Sequence, residues 1–223
     1  MRYLLPFLLA FLCTSACSEG DPFSSSTSGQ QDPTVWVPPD EADTYVFECG
    51  EDGFTAHITP EKAVVFRDGG AITFTLSDST SGLLFDNQTS RLHITDQIAD
   101  LETSDLSLTG CSNNTRAAID ENARYRDVDF RAVGQEPGWI VELSESQSIL
   151  YLANYATDTY RFPAPEPDRR GDTLHYDVAH EGHRLQLSLI REPCSDIMSG
   201  EKYGYSAFVS LNDDNVRGCA DKL

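Results

Sequence analysis

Among the 223 residues, the six cysteines are the side chains whose spacing most constrains their chemistry. Cys13 and Cys17 belong to the N-terminal segment, which leaves Cys49, Cys111, Cys194 and Cys219 in the body. No CxxC pair occurs, so a zinc site is not expected. An even set of separated cysteines in an oxidising compartment reads as disulfides. Four cysteines allow three pairings. We expect Cys49 with Cys111 and Cys194 with Cys219, because each bridge then closes one compact segment. His175, His180 and His183 form a second group with metal-ligating chemistry, beside Asp177 and Glu181. A wet strand and its turn also accommodate histidine without a ligand, so we expect no metal there. Asn212 to Asn215 lacks the spacing of a calcium loop. The chain has no Gly-x-Ser-x-Gly elbow, His-Glu-x-x-His helix or phosphate loop. Paired carboxylates carry little weight among 36 acids, so neither an enzyme nor a cofactor is expected.

The first residues run Arg2, an apolar stretch from 3 to 13, then Thr14, Ser15 and Ala16 before Cys17. This pattern predicts a signal peptide over residues 1–16, because the stretch is short of the roughly 20 residues that span a bilayer. The "TSAC" run resembles a bacterial lipobox, with Thr14 where Leu is usual, and the resemblance implies acylation of Cys17. Two acyl chains anchor a protein stably where one does not. The expected location is therefore the bacterial cell envelope, lipid-anchored. Ser18 after the cysteine resembles signals for the outer membrane, facing the periplasm. Residues 17–44 are rich in Ser, Gly, Pro, Gln and acids, which predicts a flexible tether with Trp36 as a solvated aromatic.

Loss of Arg2 with the signal leaves 15 bases against 36 acids, a net charge of −21. The excess is spread along the chain: residues 45–111 hold 11 acids against 3 bases, and residues 112–223 hold 19 against 12. Nucleic acid is excluded as a partner, and encounters with basic proteins are favoured.

From Tyr45 the chain breaks into short β runs, "YVFEC", "FTAHI", "KAVVF" and "AITFTL". In the last, Ile72, Phe74 and Leu76 alternate with smaller residues, which predicts one buried and one wet face. Asp68-Gly69-Gly70 suits a tight hairpin. A domain over residues 45–111 closes its edges most economically as a small barrel locked by a bridge between its first and last strands. Helix formers in "TRAAIDENARY" predict one short helix within a connecting segment, 112–127. Beyond it, "WIVEL", "SILYL", "LHYDV", "RLQLSLI" and "YSAFVSL" predict strands of a second domain, 128–223. Pro163, Pro165 and Pro167 mark a loop, and Glu166, Asp168, Arg169 and Arg170 read as its solvated continuation. Leu174, Tyr176 and Val178 should face Leu185, Leu187 and Leu189 across a turn at Glu181-Gly182. The expected fold class is mainly β, two small antiparallel domains behind a tether.

Residues 45–111 resemble the membrane-bound inhibitors of c-type lysozyme, the MliC family. The likeness lies in an early cysteine after an aromatic strand, a terminal cysteine, and the loop "FTLSDSTSGLLF" between them. Ser79, Ser81 and Gly82 match the family's Ser-x-Ser-Gly-x-x-Tyr pattern, with Phe85 in place of the tyrosine. The resemblance implies an eight-stranded barrel whose loop enters the lysozyme cleft, with the Ser81 hydroxyl reaching the catalytic carboxylates. It implies c-type lysozyme as partner and Ser79, Ser81, Gly82, Phe85 and Arg91 as the binding loop and its surroundings. Where the family carries a lysine this chain has Thr95, and Arg91 is the nearest base. Residues 128–223 resemble an uncharacterised family of bacterial envelope lipoprotein domains, through "VDFRAVGQEPGWIVEL" and "CSDIMSG". That likeness implies a boundary and no chemistry. In it, Gly134, Pro137 and Gly138 are expected to turn Trp139 into a core strand. Asp196 and Ser199 are expected to bond local amides in a structural loop. The alternative to inhibition is a non-catalytic envelope binding or structural lipoprotein.

Overall fold

The structure, a computed structural model, describes residues 42–223. The expected signal peptide, Cys17 and the expected tether as far as residue 41, Trp36 included, lie outside the described residues. The described chain is mainly β.

Eight antiparallel strands, β1 (Asp43–Cys49), β2 (Asp52–Ile58), β3 (Lys62–Arg67), β4 (Gly70–Ser77), β5 (Leu83–Asp86), β6 (Arg91–Thr95), β7 (Ile98–Glu102) and β8 (Ser107–Asn113), close into a barrel in sequence order. Alternation decides which side chains go inside: in β6, Leu92 and Ile94 are buried while Arg91, His93 and Thr95 face out. Phe47, Phe54, Phe74, Phe85, Leu92 and Leu101 fill the interior. Asp68 and Gly69, with φ of 51° and 76°, make the expected β3–β4 hairpin. The closing ladder is short, Phe47 facing Asn113 and Glu48 facing Ser112. Cys49 and Cys111 bridge those same strands with an S–S distance of 2.02 Å. The barrel starts at Asp43 and ends at Asn113, slightly wider than the cysteines suggested. In β4, Phe74 is buried as predicted, but Leu76 stands at the barrel mouth and is 42% exposed.

The helix α1 (Thr115–Tyr125) starts at Asn114, whose Oδ1 accepts from Ala117 N at 3.0 Å. The Asn114 amide also donates to Glu48 Oε1 at 2.7 Å, which ties the helix start to β1. At the other end Tyr125 stacks on His57 of β2, ring centroids 4.1 Å apart. Burial lowers the imidazole pKa of His57, with Glu121 opposing, and Thr44 Oγ1 lies 2.9 Å from its Nδ1. The helix is bonded equally to residues of the second domain. Arg116 reaches Asp120, Glu201 and Asp221 at 2.9, 2.6 and 3.0 Å and lies over the ring of Tyr203. Arg126 forks onto Glu142 at 2.6 and 2.8 Å.

The second domain has β9 (Phe130–Gly134), β10 (Trp139–Ser144), β11 (Ser148–Ala153), β12 (Asp158–Pro163), β13 (Asp168–Arg170), β14 (Thr173–His180), β15 (His183–Ile190), β18 (Tyr205–Leu211) and β19 (Asp214–Lys222), with a two-stranded ribbon of β16 (Cys194–Ser195) and β17 (Lys202–Tyr203). The nine strands form one antiparallel sheet, ordered β12-β11-β10-β9-β19-β18-β15-β14-β13. Its concave face holds Trp139, Val141, Leu143, Tyr176, Leu185, Leu187 and Leu189. Tyr176 faces Leu187 and Val178 faces Leu185, as the alternation predicted. Two expectations need correction. Asp168 to Arg170 is an exposed edge strand and not loop, because its backbone pairs with Thr173 to His175. Gly134 ends β9 and is not part of the turn: a Cβ there would lie 2.2 Å from Trp139 Nε1, so glycine makes room for the indole. Cys194 and Cys219 bridge the ribbon to β19.

Candidate functional site

The connection from β4 to β5, residues 78–82, carries the Ser-Gly motif. It is anchored by Ser77 Oγ, which donates to Asp86 Oδ2 at 2.7 Å across the strand pair. Within the loop the Ser79 hydroxyl donates to Ser81 O at 2.6 Å and accepts from Ser81 N at 3.2 Å. His93 Nε2 lies 2.9 Å from Ser81 O, and since a carbonyl only accepts, the imidazole donates. Those contacts hold the Ser81 backbone on both sides. Ser81 and its neighbours are exposed, and the Ser81 hydroxyl has no hydrogen-bond partner among the described residues. Gly82 has φ +65°, and a Cβ on it would lie 2.1 Å from Ile94 O and 2.9 Å from Thr95 Oγ1. Only glycine fits, because the loop turns back against the end of β6.

The residues attributed to the loop do not all sit together. Ser79, Ser81 and Gly82 are at the surface as expected. Phe85 is not: it is 1% exposed and packs in the barrel core, since it alternates with the outward Leu84 and Asp86. It supports the loop from below and touches no partner. Arg91 is exposed on the outer wall, opposite Glu102 and Asp86, and makes no ion pair among the described residues. With Ser79, Ser81, His93 and Asp100 it lines a hollow of 320 Å³. Thr95 lies at the tip of β6, close enough to the loop to bar a side chain at Gly82.

No family model, curated protein or solved structure matches this chain. The site is therefore read on its own geometry. Two features escaped the sequence reading. His93 is one, although its outward position beside Leu84 and Asp100 was readable from the strand alternation. The other is an apolar shoulder: Leu76 and Leu83 are 42% and 44% exposed, and Leu83 joins Tyr45, Ile58 and Pro60 around a mouth hollow of 360 Å³. The loop thus places an exposed, uncommitted hydroxyl, on a backbone held by Ser79 and His93, next to the exposed Leu83.

The other groups are structural in placement. His175 Nδ1 lies 2.9 Å from Ser188 Oγ, and Asn212 Nδ2 donates to His183 Nδ1 at 2.8 Å. Among the described residues no three His, Cys, Asp or Glu side chains converge as a metal site. Asp196 accepts from Met198 N, Ser199 N and Ser199 Oγ at 2.9, 2.7 and 3.0 Å. Its carboxyl sits below the usual range, held first by the Ser199 amide against the opposing effect of burial.

Proposed function

We propose that this chain is an envelope lipoprotein, acylated at Cys17, that binds and inhibits c-type lysozyme by inserting residues 79–82 into the sugar-cleaving cleft. The observation that supports it is the Ser81 hydroxyl: exposed, without a partner, and carried on a backbone held by Ser79 and His93. A hydroxyl both donates and accepts, so it can meet an ionised or a protonated carboxyl. Glycoside hydrolysis requires one carboxyl of each kind, and a plug between them keeps the sugar out. Leu76 and Leu83 supply apolar contact beside the hydroxyl. The net charge, −20 for the full chain and −21 once residues 1–16 with Arg2 are removed, draws it toward a basic enzyme. No catalysis by the chain itself is proposed.

A second reading, a non-catalytic envelope binding module without inhibition, is favoured by the charges nearest the loop. Thr95 replaces the family lysine, and Asp100 and Glu102 flank Arg91, which weakens attraction to an acidic cleft. The experiment adds a soluble form, residues 18–223, to lysozyme and follows lysis of bacterial walls. Slowed lysis supports inhibition. Undiminished lysis at micromolar excess rejects it in favour of the binding module.

A further inference from the structure

Two adjacent large apolar side chains stand far out in solvent, Ile197 at 93%, the highest of the described large apolar side chains, and Met198 at 67%. They form the tip of the ribbon loop between β16 and β17, and nothing in the fold uses them. The loop is closed by polar bonds alone: Asp196 N donates to Glu201 O and Gly200 N to Asp196 O, each at 2.9 Å. The Asp196 carboxylate gathers the Met198 and Ser199 amides. Lys202 Nζ donates to Ser195 Oγ at 2.8 Å, and the Cys194–Cys219 bridge fixes the base to β19. Glu201 is held in turn by Arg116 and by the Tyr203 hydroxyl. A loop tied in this way does not depend on the side chains at 197 and 198 for its shape. The fold therefore holds two apolar side chains in water and gains nothing from them.

We propose that Ile197 and Met198 are a bilayer-insertion finger, entering the headgroup boundary of the membrane to which the tether holds the chain. The inference rests on the anchoring reading for the nearness of a bilayer. Area argues for lipid over protein: two side chains are far below the roughly 800 Å² that each partner buries in a stable protein pair. Insertion by a tethered body needs no such area, because the tether has already removed most of the cost of bringing the surfaces together. Charge agrees. The tip from 197 to 200 is uncharged, Asp196 is turned into the loop, Glu201 is paired, and the charges at the base of the ribbon are mixed, Lys202 bonded to Ser195 and the exposed Arg191 beside the exposed Glu192. Long basic side chains reach headgroup phosphates while their stems stay in the apolar boundary.

The chain carries its own probe. Its methionines are Met1, which leaves with the proposed signal, and Met198. Oxidation to the sulfoxide by a water-soluble chloramine requires access to the thioether: the sulfur takes chlorine from nitrogen, water then displaces chloride and leaves its oxygen on sulfur, and the chloramine is reduced to the amine. The mature chain, coupled through Cys17 to a maleimide lipid in phosphatidylcholine vesicles, is oxidised beside the same chain in buffer, with sulfoxide read by mass. The expected result is oxidation slowed about five-fold or more on vesicles, since burial at the interface excludes the aqueous reagent. Ile197→Asp should remove that protection. Equal rates on vesicles and in buffer overturn the finger, as does protection that survives Ile197→Asp. Chemical coupling supplies the tether whether or not cells acylate Cys17. That modification is read separately, from the mass of the chain purified from cells, so either claim fails without the other.

Discussion

Gly82→Ala tests whether the loop is as tightly placed as the geometry says. The backbone φ of +65° costs an alanine about 1–2 kcal/mol. The new methyl carbon would start 2.1 Å from Ile94 O and 3.1 Å from Ile94 C, well inside an ordinary carbon–oxygen contact. The obstacle is backbone and cannot swing away, so the loop must lift or the Leu83–Ile94 pairing must open, at a further ~1–3 kcal/mol for overpacking. Taking about 3 kcal/mol in total, and 2–4 °C per kcal/mol for a chain of this size, melting should fall by about 6–12 °C. Calorimetry on the mature chain reads this directly. Inhibition should fall with it, since displacing Ser81 by about 1 Å removes a hydroxyl that must meet its target within hydrogen-bond range. A variant that melts within about 1 °C of the parent and inhibits equally would refute the assigned loop conformation.

The rest of the fold sets further outcomes. Replacing Cys49 and Cys111 by alanine should cost about 4 kcal/mol, from chain entropy over a separation of 62 residues, read by urea unfolding. The matching change at Cys194 and Cys219, with a separation of 25, should cost slightly less, about 3.5 kcal/mol. Burial lowers the folded-state pKa of His57, so its contribution to stability is complete above the unfolded value, about 6.5, and is lost as pH falls through the lower folded value. Urea midpoints across that window should drop on acidification, and His57→Phe should flatten the slope. Arg116→Met strands the carboxylates of Asp120, Glu201 and Asp221 together and should cost about 2–4 kcal/mol, read by the same unfolding curves.

Much of this architecture was legible because its signals are local. Alternation in "AITFTL" and "RLQLSLI", the Asp68-Gly69 and Glu181-Gly182 turns, and the propensity of Thr115 to Tyr125 each act within a few residues. The disulfide pairing was legible because each bridge closes its own segment. What escaped depends on position in the closed structure. Whether Phe85 lies outward with Ser81 or inward with Leu92 is decided by where β5 begins, and the motif's spacing says nothing of that. Asp168 to Arg170 looked like loop because a strand at a sheet edge needs only backbone pairing on one side. Leu76 read as core because alternation shows which side chains point inward but not where the barrel mouth opens. The exposure of Ile197 and Met198 was equally hidden, since it comes from Asp196 folding under them.

The central claim is that the Ser81 hydroxyl blocks a lysozyme cleft, and the most direct measurement compares inhibition by Ser81→Ala and Ser107→Ala. Ser107 is an exposed hydroxyl at the start of β8, opposite Glu102, and does not line the hollow that Ser81 lines. Loss of one charge-assisted hydrogen bond, about 1.5–3 kcal/mol, predicts a ten- to hundred-fold weaker inhibition constant for Ser81→Ala. Ser107→Ala should match the parent. Equal constants for both variants would contradict the account.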